Sequence, residues 1–267
     1  MQIRGKGGLM DEEKPLLDHV VELLTRLRRG VVAFIAVLGL QYLIPTRELR
    51  PLAFEAMRAV EHYLLEFSAN PFKHLADRLG VGDVRVRVIA GGIFDTALAS
   101  LYLASTVSLL ATLPYTLYEI YVFMKPGLYP RERRIVKKYL VLFTLLFTVG
   151  CCYAYLILAP VTLIVMVWLT AMGGAEPILT VSDLFYTLLL IVISTGTAFS
   201  IPLLLVIPAK LGLITYEALK SRWRYVVLAI LVVTAVITPD PTPISMLLLS
   251  IPLLLDYLVA LALVKRA

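Results

Sequence analysis

The sequence predicts an all-α membrane protein: a bundle of six transmembrane helices with the N- and C-termini in the cytoplasm. Hydrophobic residues make up 60% of its 267 residues and charged residues only 16%, unlike an average soluble domain. Apolar runs of roughly 20 residues, long enough to cross a bilayer, recur along the chain. Of the 25 Lys and Arg residues, 7 fall in the first external loop, where six acids nearly balance them, and the other 18 fall on the opposite side. This is the positive-inside pattern.

The helices are predicted from apolar periodicity and from the turn residues that flank it. Residues 15–29 read as a cytoplasmic amphipathic helix that begins at a proline and continues into the first span. Residues 45–92 form a long external loop with an amphipathic helix on the membrane surface, whose apolar face includes Leu52, Ala56 and Val60. All 267 residues are assigned to a single integral membrane domain. Its spans are predicted at about 30–44, 93–123, 135–159, 184–209, 225–237 and 244–264.

The fifth and sixth spans are predicted to form a short hairpin. The fifth span is short for a bilayer about 30 Å thick. The segment that follows it, Thr238-Pro-Asp-Pro-Thr-Pro243, is too stiff and too short to form more than a tight external turn. Such a hairpin either thins the membrane locally or sits deep inside a protein bundle. Prolines are also expected to interrupt or kink the helices; they are Pro114, Pro160, Pro202 and Pro208.

Composition and motifs exclude several classes of function. The net charge of +6 could indicate a nucleic-acid partner, but its one-sided distribution argues for membrane topology instead. The sequence contains no Walker A, H-E-x-x-H or G-x-S-x-G motif. Cys151 and Cys152 are adjacent in an apolar run, which excludes a disulfide framework and disfavours metal binding. We therefore expect no catalytic site, no metal and no cofactor.

A basic loop between the second and third predicted spans contains one acid, Glu132. If a helix starts near Pro130, Glu132 shares a stripe with Ile135, Val136 and Tyr139, and the cations of the loop occupy other stripes. A carboxylate that faces an apolar bundle needs a cationic partner, which the nearby sequence does not supply. The alternative is that Glu132 is a first-turn acid that complements its helix dipole.

The N-terminal helix has a second charged stripe. Asp18, Glu22 and Arg26 lie at successive i,i+4 positions. The spacing alone favours an exposed Glu22–Arg26 ion pair, worth roughly 0.3–0.5 kcal/mol. The other interpretation is that the stripe has spare negative charge for an external cation.

Ionisable residues inside the predicted spans are sparse. Asp95 and Glu119 lie near the ends of the second span, and Asp256 lies in the sixth. A proton-coupled pump or an intramembrane protease would be expected to have paired ionisable groups near mid-membrane. A small-solute transporter or channel stays an alternative, indicated only by Asp256 and by the Gly196-to-Pro202 region.

Two long motifs resemble a known family. The segment Pro15-Leu-Leu-Asp-His-Val-Val-Glu-Leu-Leu-Thr-Arg-Leu27 resembles the P-L-x-x-H-L-x-E-L-R-x-R-L motif of TatC, the multi-spanning subunit of the twin-arginine protein translocase. The segment Leu113-Pro-Tyr-Thr-Leu-Tyr-Glu-Ile-Tyr-Val-Phe-Met-Lys-Pro-Gly-Leu-Tyr-Pro-Arg-Glu-Arg-Arg134 is similar to the first cytoplasmic loop of that family. Tyr153-Ala-Tyr-Leu-Ile-Leu-Ala-Pro160 is similar to the end of its third span.

The resemblance implies a receptor for the signal peptides of folded cargo proteins. It implies a multi-pass protein of the cell membrane that self-associates, works with single-span TatA/TatB-type partners and uses the proton-motive force. By the same resemblance, Glu22 and Glu132 would hold the paired arginines of the signal peptide. Other positions that match the recognition motifs are Phe123, Pro126, Leu128, Arg134, His19 and Arg26.

The sequence departs from the family pattern inside the membrane. The family's F-E-x-P motif reads Phe199-Ser-Ile-Pro202, so Ser200 stands in place of a glutamate. The family's T-P-P-D turn appears as Thr238-Pro-Asp-Pro241, which shifts its acid to Asp240, and an acid late in the sixth span is shifted to Asp256. Ser200, Pro202, Asp240 and Asp256 are the candidate residues for partner contact within the membrane.

Overall fold

The computed structural model describes residues 16–45, 50–65, 72–82, 86–210, 215–238 and 242–265. Ten helices and one pair of short strands occur in these ranges. The elements are α1 (Leu16–Leu43), α2 (Leu52–Leu65), α3 (Lys73–Arg78), β1 (Arg87–Ile89), α4 (Asp95–Met124), α5 (Pro130–Tyr153), α6 (Ala159–Met172), β2 (Ile178–Thr180), α7 (Val181–Lys210), α8 (Tyr216–Ser221), α9 (Trp223–Ile237) and α10 (Pro243–Lys265).

Four of the described helices are long and apolar enough to cross a membrane: Asp95–Gly127, Glu132–Met172, Val181–Leu203 and Pro243–Lys265. Two other predicted spans lie on shorter apolar stretches. The apolar part of α1 begins only after Arg29, and the 15 residues of α9 make about 22 Å of helix against a hydrocarbon core of about 30 Å. The all-helical membrane class is confirmed, and the count of six spans and the side of the termini stay predictions.

The third predicted span is longer than expected because Pro160 does not end it. Residues Ala154–Leu158 form one π-helical turn between α5 and α6, and the helix continues to Met172. A proline in a helix leaves the carbonyl four residues earlier without its N–H partner, and a wider turn relieves the clash with the ring. That carbonyl belongs to Leu156, and the hydroxyl of Tyr63 on α2 donates to it at 3.1 Å.

The core lies where α4, α5 and α7 meet. α5 and α7 approach closely at Gly150 and Gly196, since a Cβ added at Gly150 would lie 2.9 Å from the Gly196 Cα and 2.9 Å from the Phe199 side chain. Small residues at a crossing let membrane helices pack backbone to backbone. The free thiol of Cys151 fills the same crossing and donates to the Val192 carbonyl at 3.4 Å.

α1 packs along α4 through a close contact and two polar contacts. A Cβ at Gly30 would lie 3.0 Å from the Thr116 hydroxyl, so the two helices touch there. Farther along α1, the buried Gln41 amide donates to the Ser108 hydroxyl at 2.8 Å. Tyr42 and Ser100 share a hydrogen bond of 3.0 Å. Hydrogen bonds of this kind fix the register of two apolar helices.

The segment between α1 and α4 packs onto the bundle and not only onto a surface. The predicted helix is present as α2, and Ala56 and Val60 of its predicted face pack against the core. The most buried positions also include Ala53 and Met57, whereas Leu52 is 40% exposed. α2 contacts α4 and α6, and neither contact can be read from local periodicity.

A small polar layer closes the end of the bundle where α4 begins. β1 pairs in parallel with β2, with Val88 opposite Leu179. The Asp95 carboxylate accepts hydrogen bonds from the Ser182 hydroxyl and from the Gly91 N–H. These contacts join the loop before α4 to the start of α7.

Candidate functional site

An ion-pair cluster joins α1 to α4. The Arg26 guanidinium donates to Glu22 Oε1 from Nε at 3.1 Å and from Nη2 at 2.7 Å. Its Nη1 donates to Oε2 of Glu119 on α4 at 3.3 Å. The Glu119 side chain is only 10% exposed and that of Arg26 19% exposed. Arg26 therefore bridges two carboxylates in a mostly desolvated position.

Two further side chains complete this Arg26 cluster. Arg29 Nη1 lies 3.7 Å from Glu119 Oε1, and the Tyr115 hydroxyl donates to the same oxygen at 2.9 Å. The hydrogen bond to Glu22 is the main cause that raises the pKa of Arg26 above its usual value, and the bond to Glu119 adds to it. Two acids and two arginines balance in charge within the cluster.

The cluster answers one question that the sequence left open. The Glu22–Arg26 ion pair favoured by the i,i+4 spacing is confirmed at 2.7 Å. The role of Glu119 was missed because a sequence does not say which helix crosses which. The available signal was a surplus of charge: Arg26 and Arg29 lie three residues apart on one helix face, where Glu22 alone could not serve both.

Glu132 caps the helix that follows the α4–α5 connection. A single 3₁₀ turn, Lys125–Gly127, leads to α5, and Glu132 Oε2 accepts the Tyr129 N–H at 2.9 Å. Glu132 is half-buried above the buried Val136 and Tyr139, whereas the cations on the neighbouring stripes, Arg134, Lys137 and Lys138, are exposed. The predicted apolar face of Glu132 is confirmed, whereas Arg133, on a neighbouring stripe, is half-buried and not exposed. Among the described side chains, no cation lies within ion-pair distance of Glu132.

The remaining residues of the recognition motifs lie on α1, at the end of α4, in the turn that follows it and on α5. Phe123 is half-buried at the end of α4, and Pro126 is exposed in the turn. Leu128 is half-buried and its carbonyl accepts the Arg133 side chain at 2.9 Å. Arg134 is exposed on α5, and His19 is exposed on α1.

The Arg26 cluster, which contains Glu22, and the turn capped by Glu132 lie at the same end of the bundle. Glu119, which holds the Arg26 cluster, lies little more than one turn before the end of α4 at Met124. The capped turn with Glu132 begins directly after that end. No hydrogen bond or ion pair between Glu132 and the Arg26 cluster occurs in the described part of the chain.

The candidate residues within the membrane differ from one another in their surroundings. Ser200 is 1% exposed and donates to the Gly196 carbonyl at 3.1 Å, and Pro202 is buried in the interior of α7. Asp256 on α10 is half-buried, and its Oδ2 has no hydrogen-bond partner among the described residues. Asp240 lies outside the described residues. Within the described ranges, no group of three or more His, Cys, Asp or Glu is placed to hold a metal.

The helical bundle, its apolar helices and its charged end together define an integral membrane protein. Residues 18–252 match the family model described as Sec-independent protein translocase protein (TatC). The chain therefore belongs to the TatC family, as the two motifs predicted. Proteins of this family are components of a protein translocase, so the alternative of a small-solute transporter or channel is not favoured.

Individual relatives support the same assignment. The chloroplastic Sec-independent protein translocase protein TATC of Pisum sativum is 31% identical over 257 residues, which are 96% of this chain and 65% of that protein. The chain thus spans just under two thirds of the pea protein. The TatC protein of Deinococcus radiodurans is 28% identical over 243 residues, 91% of this chain and 83% of that protein.

A solved structure agrees with the fold. The crystal structure of the twin-arginine translocase receptor TatC has a TM-score of 0.69 and 26% sequence identity to this chain. The similarity covers 93% of this chain and 98% of the solved one.

Proposed function

We propose that this chain is the receptor subunit of a twin-arginine translocase and binds twin-arginine signal peptides through Glu132 and Glu22. The observation that carries the proposal is the state of Glu132. It is half-buried beside apolar side chains, it accepts one backbone N–H, and none of the described side chains supplies it with a cation. A peptide arginine would supply the missing charge.

The geometry of Glu132 suits arginine better than lysine. Its Oε2 already accepts the Tyr129 N–H, and a carboxylate retains acceptor capacity on its second oxygen. The planar guanidinium fork can donate to that oxygen and still reach a neighbouring acceptor, whereas an ammonium acts as a point charge. Exposed ion pairs are worth at most about 1 kcal/mol, so binding of useful strength needs a partly desolvated acid such as this one.

Glu22 would bind in a different way, because Arg26 already occupies it. A peptide arginine can take over the Glu22 carboxylate only if Arg26 keeps another partner. Glu119 is that partner, since it contacts Arg26 Nη1 at 3.3 Å and is nearly buried. After the exchange each buried group keeps a partner, and the one surplus positive charge falls on Arg29, whose side chain is 57% exposed; this avoids the cost of an unpaired buried ion.

The wider assembly follows from family membership and the charge pattern. The excess of Lys and Arg on one side supports six spans with both termini and the acid-bearing end in the cytoplasm. In that orientation the chain would lie in the cell membrane, bind cargo signal peptides from inside, and self-associate in the receptor complex. Single-span TatA/TatB-type subunits would join it, and the proton-motive force would drive transport of folded proteins.

Site-specific crosslinking tests the proposal. A peptide with Arg-Arg is crosslinked to the protein in membranes, and Glu132→Gln is expected to weaken binding by about tenfold, the effect of one hydrogen bond to a charged group. Combination with Glu22→Gln should weaken it further. A Lys-Lys peptide should bind poorly to the unmodified protein.

The matched control is Glu217→Gln, which removes an exposed acid on α8 far along the chain from either motif. This control should leave crosslinking unchanged. Undiminished crosslinking in the Glu22→Gln, Glu132→Gln double variant would refute the assignment of the two acids.

A further inference from the structure

A large apolar groove opens between α7, α8, α9 and α10. Its volume is about 680 Å³, within the ~300–1,000 Å³ range of small-molecule sites. Pro202, Val226, Ala229, Val233 and Leu253 form much of its wall. Arg222 is the charged residue among its described lining, and it stands at the start of α9.

The dimensions of the groove match one leaflet of a bilayer. From Arg222 to Val233 the wall follows α9 for about 16 Å, roughly half of the 30 Å hydrocarbon core. Trp223 and Tyr225 are 52% and 74% exposed beside Arg222, as aromatic side chains are at a membrane–water interface. The groove therefore has a charged mouth at headgroup level and an apolar interior that ends near the bilayer midplane.

The mouth attracts anions. Lys220, Arg222 and Arg224 outnumber the single acid Glu217 in the segment from α8 into α9. Lys220 lies over the Tyr216 ring at 5.9 Å and Arg224 over the Trp223 ring at 5.8 Å. Arg222 has neither a ring contact nor an ion pair among the described residues, so its guanidinium is the group available to an incoming anion.

We propose that this groove binds one anionic phospholipid, with the phosphate on Arg222 and an acyl chain along α9 between α7 and α10. The occupant is a lipid and not an apolar partner helix because of charge. Cations stand at the mouth of an otherwise apolar groove, which suits the anionic head and the apolar chain of a phospholipid. The lining also offers few polar groups for a peptide, whereas a phosphodiester needs only a cation at the mouth.

Lipid retention tests the proposal independently of signal-peptide binding. The full chain is reconstituted in nanodiscs of equal amounts of phosphatidylglycerol and phosphatidylcholine, extracted gently, and weighed by native mass spectrometry. Arg222→Gln is expected to lower retained phosphatidylglycerol by about tenfold, the loss of one charge-assisted contact. Ala229→Trp should lower it as well, because the indole fills the groove.

The matched controls lie outside the groove and its mouth. Arg28→Gln removes an exposed cation of α1, and Ala235→Trp adds an indole to an exposed position of α9 outside the groove. Both should retain lipid as the unmodified chain does. Circular dichroism and gel filtration establish folding, and Ala229→Leu replaces the tryptophan variant if that variant does not fold.

Several results would overturn the proposal. Retention that is unchanged in both groove variants, or that falls equally in the controls, would mean that only a general lipid annulus is bound. Retention of phosphatidylcholine at the same level would remove the role of charge at Arg222. A crosslink from Ala229 to a protein helix in native membranes would assign the groove to a partner.

Discussion

Replacement of Glu119 by glutamine tests whether the Arg26 cluster holds α1 against α4. The change removes a charge that is only 10% exposed and that faces Arg26 at 3.3 Å and Arg29 at 3.7 Å. Breaking a fully buried ion pair costs about 3–5 kcal/mol, whereas an exposed pair contributes at most about 1 kcal/mol. Arg26 keeps Glu22, and Arg29 is 57% exposed, so the cost should fall between these limits, at about 1–2 kcal/mol.

Thermal unfolding of the detergent-solubilised protein measures the effect. For a chain of this size, 1 kcal/mol shifts the midpoint by about 2–4 °C, so Glu119→Gln should lower it by about 2–8 °C. Glu217→Gln is the matched control, since it makes the same change at an exposed site on α8 and should stay within about 0.5 kcal/mol.

A double-mutant cycle with Arg26→Gln separates the ion pair from other effects of the substitution. The effects of the two changes should not be additive if the side chains interact as the geometry indicates. Strict additivity, or an equal midpoint for Glu119→Gln and its control, would refute the account of the cluster as the link between the helices.

Three further changes probe the packing of the bundle, each read as a thermal midpoint. Gly150→Ala should cost about 1–3 kcal/mol because its Cβ would lie 2.9 Å from the α7 backbone. Gly39→Ala is the control and should be neutral or stabilising, since nothing lies within 4 Å of its Cβ. Equal effects of the two changes would contradict the close crossing of α5 and α7. Gln41→Met should cost about 0.5–1.5 kcal/mol through the lost hydrogen bonds to α4, and no loss would show that packing alone sets the register. Tyr63→Phe should cost about 1–3 kcal/mol because the carbonyl freed by Pro160 loses its donor, and an unchanged midpoint would contradict that role.

The sequence was sufficient wherever a helix is specified by its own residues. Apolar periodicity placed α9 and α10 within two residues of their observed ends, and the Tyr-Pro pair before Glu132 predicted the start of α5 at Pro130. The i,i+4 spacing also predicted the contact between Glu22 and Arg26. Each of these features depends on interactions within about one helical turn.

The sequence failed where one helix decides the conformation of another. The third span was predicted to end at residue 159, but the helix continues to Met172, and Tyr63, far away in the chain, donates to the carbonyl that Pro160 frees. On α2 the burial of Ala53 and Met57 was not predicted, because the neighbouring helices α4 and α6 were unknown. Glu119 was noted as an ionisable residue near a span end, but its arginines come from α1, and no local pattern connects them.

The two proposed recognition acids should contribute unequally, because only one of them already has an arginine. At Glu22 a peptide arginine would replace Arg26, so like exchanges for like and the net electrostatic gain is small. At Glu132, a half-buried carboxylate, none of the described side chains supplies a cation, so the peptide arginine would be the first. The electrostatic gain there is larger. If the proposed function holds, Glu132→Gln should therefore reduce the affinity for an Arg-Arg peptide more than Glu22→Gln does. Equilibrium binding of a labelled peptide to each variant measures the order, and a greater loss from Glu22→Gln would show that Arg26 leaves its carboxylate before the peptide arrives.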